Sequence, residues 1–207
     1  MIRPPERLSE RDAAIEAMLP NVPFDGWTIR ALRAGLAAAG LPVDEATILF
    51  PGGAADMVAV FCDLADRRMT EAAAALSDTL TETGLTARVR AVIALRLAMN
   101  RPHKEAIRRA MAVLAWPGNA RTAAAITART VDAIWHAAGD RSADFSWYTK
   151  RALLTAVYGA TLLFWLHDTS EDDADTRAFV ERRLLGVGRL GWAQGRAAAL
   201  LGRSRPA

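Results

Sequence analysis

One cysteine, two lysines and two tyrosines are all that the 207 residues hold of those types. The single thiol, Cys62, excludes a disulfide framework within the chain and reads as a small hydrophobe on a helix. No stretch alternates apolar and polar residues in the manner of a strand, and no segment repeats. The longest apolar run, Ala152 to Leu166, is about 15 residues. A bilayer span needs ~20, so the run reads as a core helix. The opening MIRPPERLSERD is polar and leads directly into a helical pattern, without a signal peptide. A soluble protein, or one peripheral to a membrane, is expected.

Catalytic and metal motifs are equally scarce. His103, His136 and His167 fall in no HExxH or ExxH pattern, and CxxC does not occur. Asp132 and His136 are four apart and share a helical face, but two ligands do not make a metal site. GxSxG and Walker-type motifs are missing. Gly186, Gly188 and Gly191 have GxGxxG spacing, yet they follow a helix and not a strand, so they read as a helix interruption. No catalytic residue, no metal and no cofactor is assigned, and the chain is expected not to be an enzyme.

Alanine and arginine dominate what is present. The chain is 52% hydrophobic and 24% charged, too apolar for disorder, and this alanine-rich composition favours helix. Net charge is only +3, but it is unevenly spread. The acidic run Glu171, Asp172, Asp173, Asp175 is followed by Arg177, Arg182, Arg183, Arg189, Arg196, Arg203 and Arg205, with Glu181 the one acid among them. A basic tail of this kind suits an anionic surface, either lipid headgroups or nucleic acid.

Helical spacing predicts an all-α fold of about nine or ten helices. The first begins at Ser9 as N-cap, with Asp12 three residues on, and ends at Pro20 and Pro23. A second runs from about Thr28 to Ala39 and is closed by Gly40. A short third spans about Asp44 to Phe50. Longer helices follow: Ala54 to about Leu80, Thr86 to Met99, Lys104 to Ala115, and one capped by Asn119 that runs to about His136 and stops at Gly139. His136 and His167 stand at helix ends, where imidazole commonly satisfies carbonyls. The helix from about Asp144 to Leu166 carries the stripe Leu154, Val157, Tyr158, Thr161, Leu162 and Trp165, with Leu153, Leu163 and Phe164 covering much of the rest. A helix apolar nearly all round is expected in the middle of a bundle. A last helix starts near Asp172 to Asp175, where acids complement the helix dipole.

The three short N-terminal helices have a helix-turn-helix outline. The segment that would read DNA, Val43 to Phe50, holds Asp44 and Glu45 and no cation. Contact with phosphates depends on Lys and Arg, so sequence-specific DNA binding is not expected. A repressor sensing a hydrophobic ligand is the alternative that this outline leaves open, and those two acids weigh against it.

Residues Thr130 to Arg151 read TVDAIWHAAGDRSADFSWYTKR and continue as ALLTAVYGATLLFWLHD. This block resembles the signature of the coenzyme Q (ubiquinone) biosynthesis family usually numbered nine, at Asp132, Trp135, Gly139, Asp140, Ser142, Asp144, Trp147, Tyr148, Thr149 and Arg151, then Tyr158, Thr161 and Asp168. Leu49-Phe50-Pro51-Gly52-Gly53 and the arginine-rich stretch through PHKEAIRRAMAVLAWPGN are similar to it as well, so the resemblance runs from about Arg11 to Arg183.

The resemblance implies a TetR-like fold without DNA binding, a homodimer, and a cavity for isoprenoid lipid or a quinone intermediate, presented at a membrane to the demethoxyubiquinone hydroxylase. Carried over residue by residue, the partner-binding candidates are Asp144, Trp147, Tyr148 and Arg151. Adjacent helical residues point about 100° apart, so Trp147 and Tyr148 cannot both face one core. The lipid-binding candidates are Ile93, Leu97 and Met111 with Leu154, Val157, Tyr158, Thr161 and Trp165. On the residues alone the same stripe also fits a solid core. Arg189, Leu190, Trp192 and Arg196 are the membrane-binding candidates, in a segment that reads either as an interfacial helix or as a frayed basic tail. Three parts are expected: 1–53 helix-turn-helix-like, 54–188 a lipid-binding bundle, and 189–207 a basic amphipathic segment. The expected location is a bacterial cytoplasm, peripheral to the inner membrane.

Overall fold

Apolar residues three and four apart recur from Ser9 onward, and the chain answers with helix after helix. The computed structural model describes residues 4–76, 84–140 and 146–186, with side chains from residue 149 in the last stretch. It divides into two compact units, Met1–Ser142 and Ala143–Ala207.

In the first unit, α1 is Ser9–Met18, α2 Val22–Asp25 and α3 Ile29–Ala38. A 3-10 turn, Val43–Glu45, leads into α4, Ala46–Leu49. Then come α5 Gly53–Ala75, α6 Leu85–Met99, α7 Lys104–Leu114 and α8 Ala120–Ala137. The second unit holds α9, Ser146–His167, and a further helix, α10, over residues 174–186. No strand occurs among the described residues, and the all-α expectation holds.

Several ends follow the sequence. Thr28 caps α3, its Oγ1 accepting from the Ala31 amide at 3.2 Å. Gly40 and Gly139 adopt φ of 68° and 76°, a left-handed conformation that glycine takes without a Cβ penalty. That turns the chain so that the Leu41 amide reaches the Leu36 carbonyl and the Asp140 amide reaches the Trp135 carbonyl.

Other ends differ from expectation. The N-cap of α1 is Leu8, not Ser9, whose hydroxyl donates to the Glu10 carboxylate instead. Asn119 occupies the N-cap position of α8, but its side-chain amide donates back to the Val113 carbonyl at 2.8 Å, tying down the end of α7. Short α2, which begins beyond Pro20 with Pro23 in its first turn, was not anticipated; proline is tolerated there because the first amides of a helix have no partner within it.

The core of the first unit is built around α5, which packs on α1, α6, α7 and α8. Ile15, Met18, Leu32, Leu36, Met57, Ile93 and Ile134 are fully buried. The α1 and α3 backbones touch: a Cβ on Gly35 would lie 2.4 Å from the Ala17 carbonyl oxygen. Trp27 fastens the N-terminal helices to α7 through its indole N–H, which donates to the Ala106 carbonyl at 2.9 Å.

In the second unit, the stripe read from the sequence is the buried one. Leu154, Val157, Tyr158 and Trp165 are 5% exposed or less. The expectation that this helix is buried nearly all round is corrected: Ala152, Thr155 and Ala156 are exposed, as is Leu163, and Phe164 lies at the surface. An apolar run does not distinguish a core-facing side chain from one on an apolar surface. The turn into α10 is also organised differently from the dipole argument. Asp172 and Asp173 both take positive φ, as Asp does more readily than most residues, in a 3-10 turn. The helix start is held by Asp168.

Candidate functional site

Two buried polar networks fix the helices of the first unit. Arg96 on α6 donates its Nε and Nη2 to one oxygen of Asp66 on α5, and the Thr130 hydroxyl on α8 donates to the other at 2.8 Å. One turn earlier on α5, buried Asp63 accepts from Arg7 and Arg67, and Arg67 also reaches Asp12 on α1. A buried carboxylate is tolerated only where donors surround it, and here they come from four separate segments. Sequence reasoning passed over both acids; the available signal was two aspartates three apart on the otherwise apolar face of α5.

Cys62, next to Asp63 on α5, is partly buried, and desolvation pushes its thiol up to about 12. At neutral pH it is a thiol and not a nucleophile. Among the described residues, no group of three His, Cys, Asp or Glu is arranged to hold a metal ion.

A cavity of about 110 Å3 opens where the end of α1 meets α5 and the turn after α6. Leu19, Phe61, Leu64, Ala65 and Met99 form its apolar wall; Arg68, Asn100 and His103 form its polar edge. His103 stands edge-on to Phe61, with centroids 6.4 Å apart. Burial, and then the nearby Arg68 charge, push its imidazole below the ordinary histidine value. Sequence reasoning did not find this site, because its residues come from distant positions and follow no motif.

The lipid-binding candidates fall in both units. Ile93 and Leu97 are buried on α6, and Met111 is half-buried on α7. Leu154, Val157, Tyr158, Thr161 and Trp165 are buried on α9. Thr161 spends its hydroxyl on the Val157 carbonyl of its own helix, at 2.7 Å. None of the eight lines the cavity at His103.

Of the partner-binding candidates, Arg151 is half-buried on α9. Trp147 and Tyr148 belong to the first turn of α9, while their side chains, and Asp144 altogether, lie outside the described residues. So do the membrane-binding candidates Arg189, Leu190, Trp192 and Arg196. Among the described residues, no single helix is long and apolar enough to cross a membrane.

Just after α9, Asp168 accepts from the amides and hydroxyls of both Ser170 and Thr176. Burial pushes its carboxyl up, but those four donors outweigh burial and hold it well below the usual carboxylate range. His167 engages the Leu163 carbonyl through Nδ1 at 2.9 Å, in agreement with its expected role at a helix end. Phe164 and Phe179 stack at 4.6 Å and 9°, and the Arg183 guanidinium lies 4.8 Å from the Phe179 ring centre. In the helix-turn-helix-like part, Asp44, Glu45, Thr47 and Ile48 are the exposed residues of the segment that would read DNA.

The COQ9 family model matches residues 120–191, which contain the Trp–Tyr block and the whole of α9. The ubiquinone biosynthesis protein coq9 of Schizosaccharomyces pombe, a mitochondrial protein, is 35% identical over 179 residues, covering 86% of this chain and 70% of the yeast protein. The chain belongs to the COQ9 family. Human mitochondrial COQ9 is 32% identical over 185 residues, 86% of this chain and 57% of its own length. The Drosophila melanogaster protein is 35% identical over 177 residues, 84% of this chain and 54% of its own length. The chain thus spans little more than half of those two COQ9 relatives.

A TetR transcriptional regulator from Nitrosomonas europaea superposes with a TM-score of 0.67 at 22% identity, covering 85% of this chain and 96% of the regulator. The chain therefore has the TetR-like fold that the sequence led one to expect. The expected location does need correction. The curated COQ9 relatives are named mitochondrial and come from eukaryotes, which overturns placement in a bacterial cytoplasm at the inner membrane. That placement rested on composition and on where the chain starts, and neither determines a compartment.

Proposed function

We propose that this chain is a non-enzymatic, lipid-binding accessory protein of ubiquinone biosynthesis, which binds isoprenoid quinone intermediates and presents them at a membrane to the demethoxyubiquinone hydroxylase. The observation that carries the proposal is the family match over residues 120–191, whose curated members are named ubiquinone biosynthesis proteins. Physical chemistry supports the lipid part. A polyprenyl quinone is almost insoluble in water, so a carrier needs apolar side chains gathered away from solvent. Leu154, Val157, Tyr158 and Trp165 on α9 in the second unit, and Ile93 and Leu97 on α6 in the first, are side chains that each unit keeps from solvent.

In this reading Asp144, Trp147, Tyr148 and Arg151 contact the hydroxylase, and the basic segment with Arg189, Leu190, Trp192 and Arg196 contacts anionic lipid. The protein works as a homodimer; Leu163 and Leu185 are exposed apolar side chains available to a second copy. The acidic exposed edge at Asp44 and Glu45 repels phosphate, so sequence-specific DNA contact is not part of the function.

Pull-down of purified hydroxylase tests the partner assignment. Trp147→Ala and Arg151→Glu are expected to lose at least tenfold in affinity while keeping wild-type helicity, as hot-spot anchors do. Retention of wild-type affinity in both would overturn the assignment.

A further inference from the structure

We propose that the cavity between α1, α5 and the turn after α6 is a binding site for a hydroxylated aromatic ring. Its volume of about 110 Å3 is far below the ~300 Å3 at which pockets for drug-sized ligands begin. It is of the order of the engineered apolar cavity of about 150 Å3 that takes up benzene. One ring is therefore the largest guest that fits without rearrangement, and an isoprenoid tail does not fit.

The wall chemistry selects the kind of ring. Phe61, Leu64, Ala65 and Met99 give one side that is apolar, with an aromatic face and a polarisable sulfur. The rest of the lining offers three polar groups of complementary character. His103 is held neutral by burial and by Arg68, and a neutral imidazole carries one donor and one acceptor. Arg68 brings only donors, and its ion pair with Glu16 engages one of its terminal nitrogens. Asn100 is buried, with its amide nitrogen donating to the Arg96 carbonyl.

A phenolic hydroxyl both gives and takes a hydrogen bond, and this edge can answer in both senses. A hydrocarbon ring would leave the edge unanswered, at a cost. A carboxylate would meet a guanidinium already neutralised by Glu16. Arg68 is exposed, and Met99 is partly so, which places the entrance on their side.

The site does not depend on quinone carriage. Its probes have no tail, so failure of phenol binding leaves the carrier reading standing, and failure of quinone binding leaves this site standing.

The experiment is a titration of the full chain with phenol, and separately with toluene, read by the methyl resonance of Met99 in protein labelled at methionine methyls. Saturable millimolar binding of phenol is expected. His103→Leu should weaken phenol about tenfold, the worth of one hydrogen bond, and change toluene by less than twofold. Ala65→Leu, which fills the cavity, should abolish both. A Met99 shift that never saturates, a His103→Leu protein that binds phenol as well as wild type, or an Ala65→Leu protein that still binds it would each overturn the proposal. Because His103→Leu is judged by the phenol-to-toluene ratio within one protein, a general loss of packing does not imitate the expected result.

Discussion

Arg96 donates two N–H groups to a single carboxylate oxygen of Asp66, at 2.9 and 2.7 Å, with both side chains almost wholly out of solvent. The pair joins α5 to α6, and the Thr130 hydroxyl brings in α8. Removing one partner leaves the other charge buried and uncompensated, which typically costs about 3–5 kcal/mol. Asp66→Ala is expected to fall in that range in urea unfolding followed by circular dichroism. The double change Asp66→Leu with Arg96→Met should recover most of the loss, since apolar side chains tolerate burial. A single variant within about 0.5 kcal/mol of wild type would show that the pair does not fasten these helices.

Gly35 sets the closeness of α1 and α3. With a Cβ only 2.4 Å from the Ala17 carbonyl oxygen and 2.7 Å from the Met18 Cα, Gly35→Ala must push two backbones apart. Overpacking of this sort costs about 1–3 kcal/mol or more. Gly159 on α9 is the control, because nothing lies within 4 Å of its added Cβ. Gly159→Ala should raise stability by up to about 1 kcal/mol through helix propensity alone. Thermal unfolding of the two variants should move in opposite directions, and a common direction would refute the backbone-contact account.

The Asp168 cap predicts a pH dependence with a definite sign. Its carboxyl is held below the usual range in the folded chain, so the cap stabilises wherever the unfolded chain would also ionise it, above about pH 3.9. That contribution fades as pH falls through the lower folded value. Asp168→Ala should lower stability at pH 7 by about 1–2 kcal/mol, as lost helix caps do. The gap to wild type should narrow steadily as the pH falls below that of ordinary aspartates. Hydrogen exchange at the Thr176 amide reports the same event locally; protection that is equal in both proteins at pH 7 would remove the cap from the account.

The helical fold was legible in the residues because three- and four-residue spacing, Gly40, Gly139 and the prolines act locally. Ser9 was misread, and Asn119 holds the expected N-cap position without capping through its side chain, because a short polar side chain near a helix start has several partners within reach: Ser9 takes Glu10 and Asn119 takes the Val113 carbonyl. The stripe on α9 was visible for the same local reason, yet Leu163 and Phe164 show that apolar character does not state what a residue faces. The Trp–Tyr block led to the family because its spacing is specific. The cavity at His103 was invisible, since Leu19, Phe61 and Met99 are brought together only by packing of α1, α5 and α6. Asp66 and Asp63 were passed over because Arg96, Thr130 and Arg7, which satisfy them together with Arg67, come in from other segments.

Quinone carriage is tested most directly by native mass spectrometry of the purified full chain after gentle release from detergent. The account predicts a bound species whose mass and fragments match an isoprenoid quinone intermediate, lost when Leu154 and Val157 are both changed to Asp in protein that remains helical. Repeated release of bare protein, under conditions that keep lipid on a known lipid carrier, would contradict it.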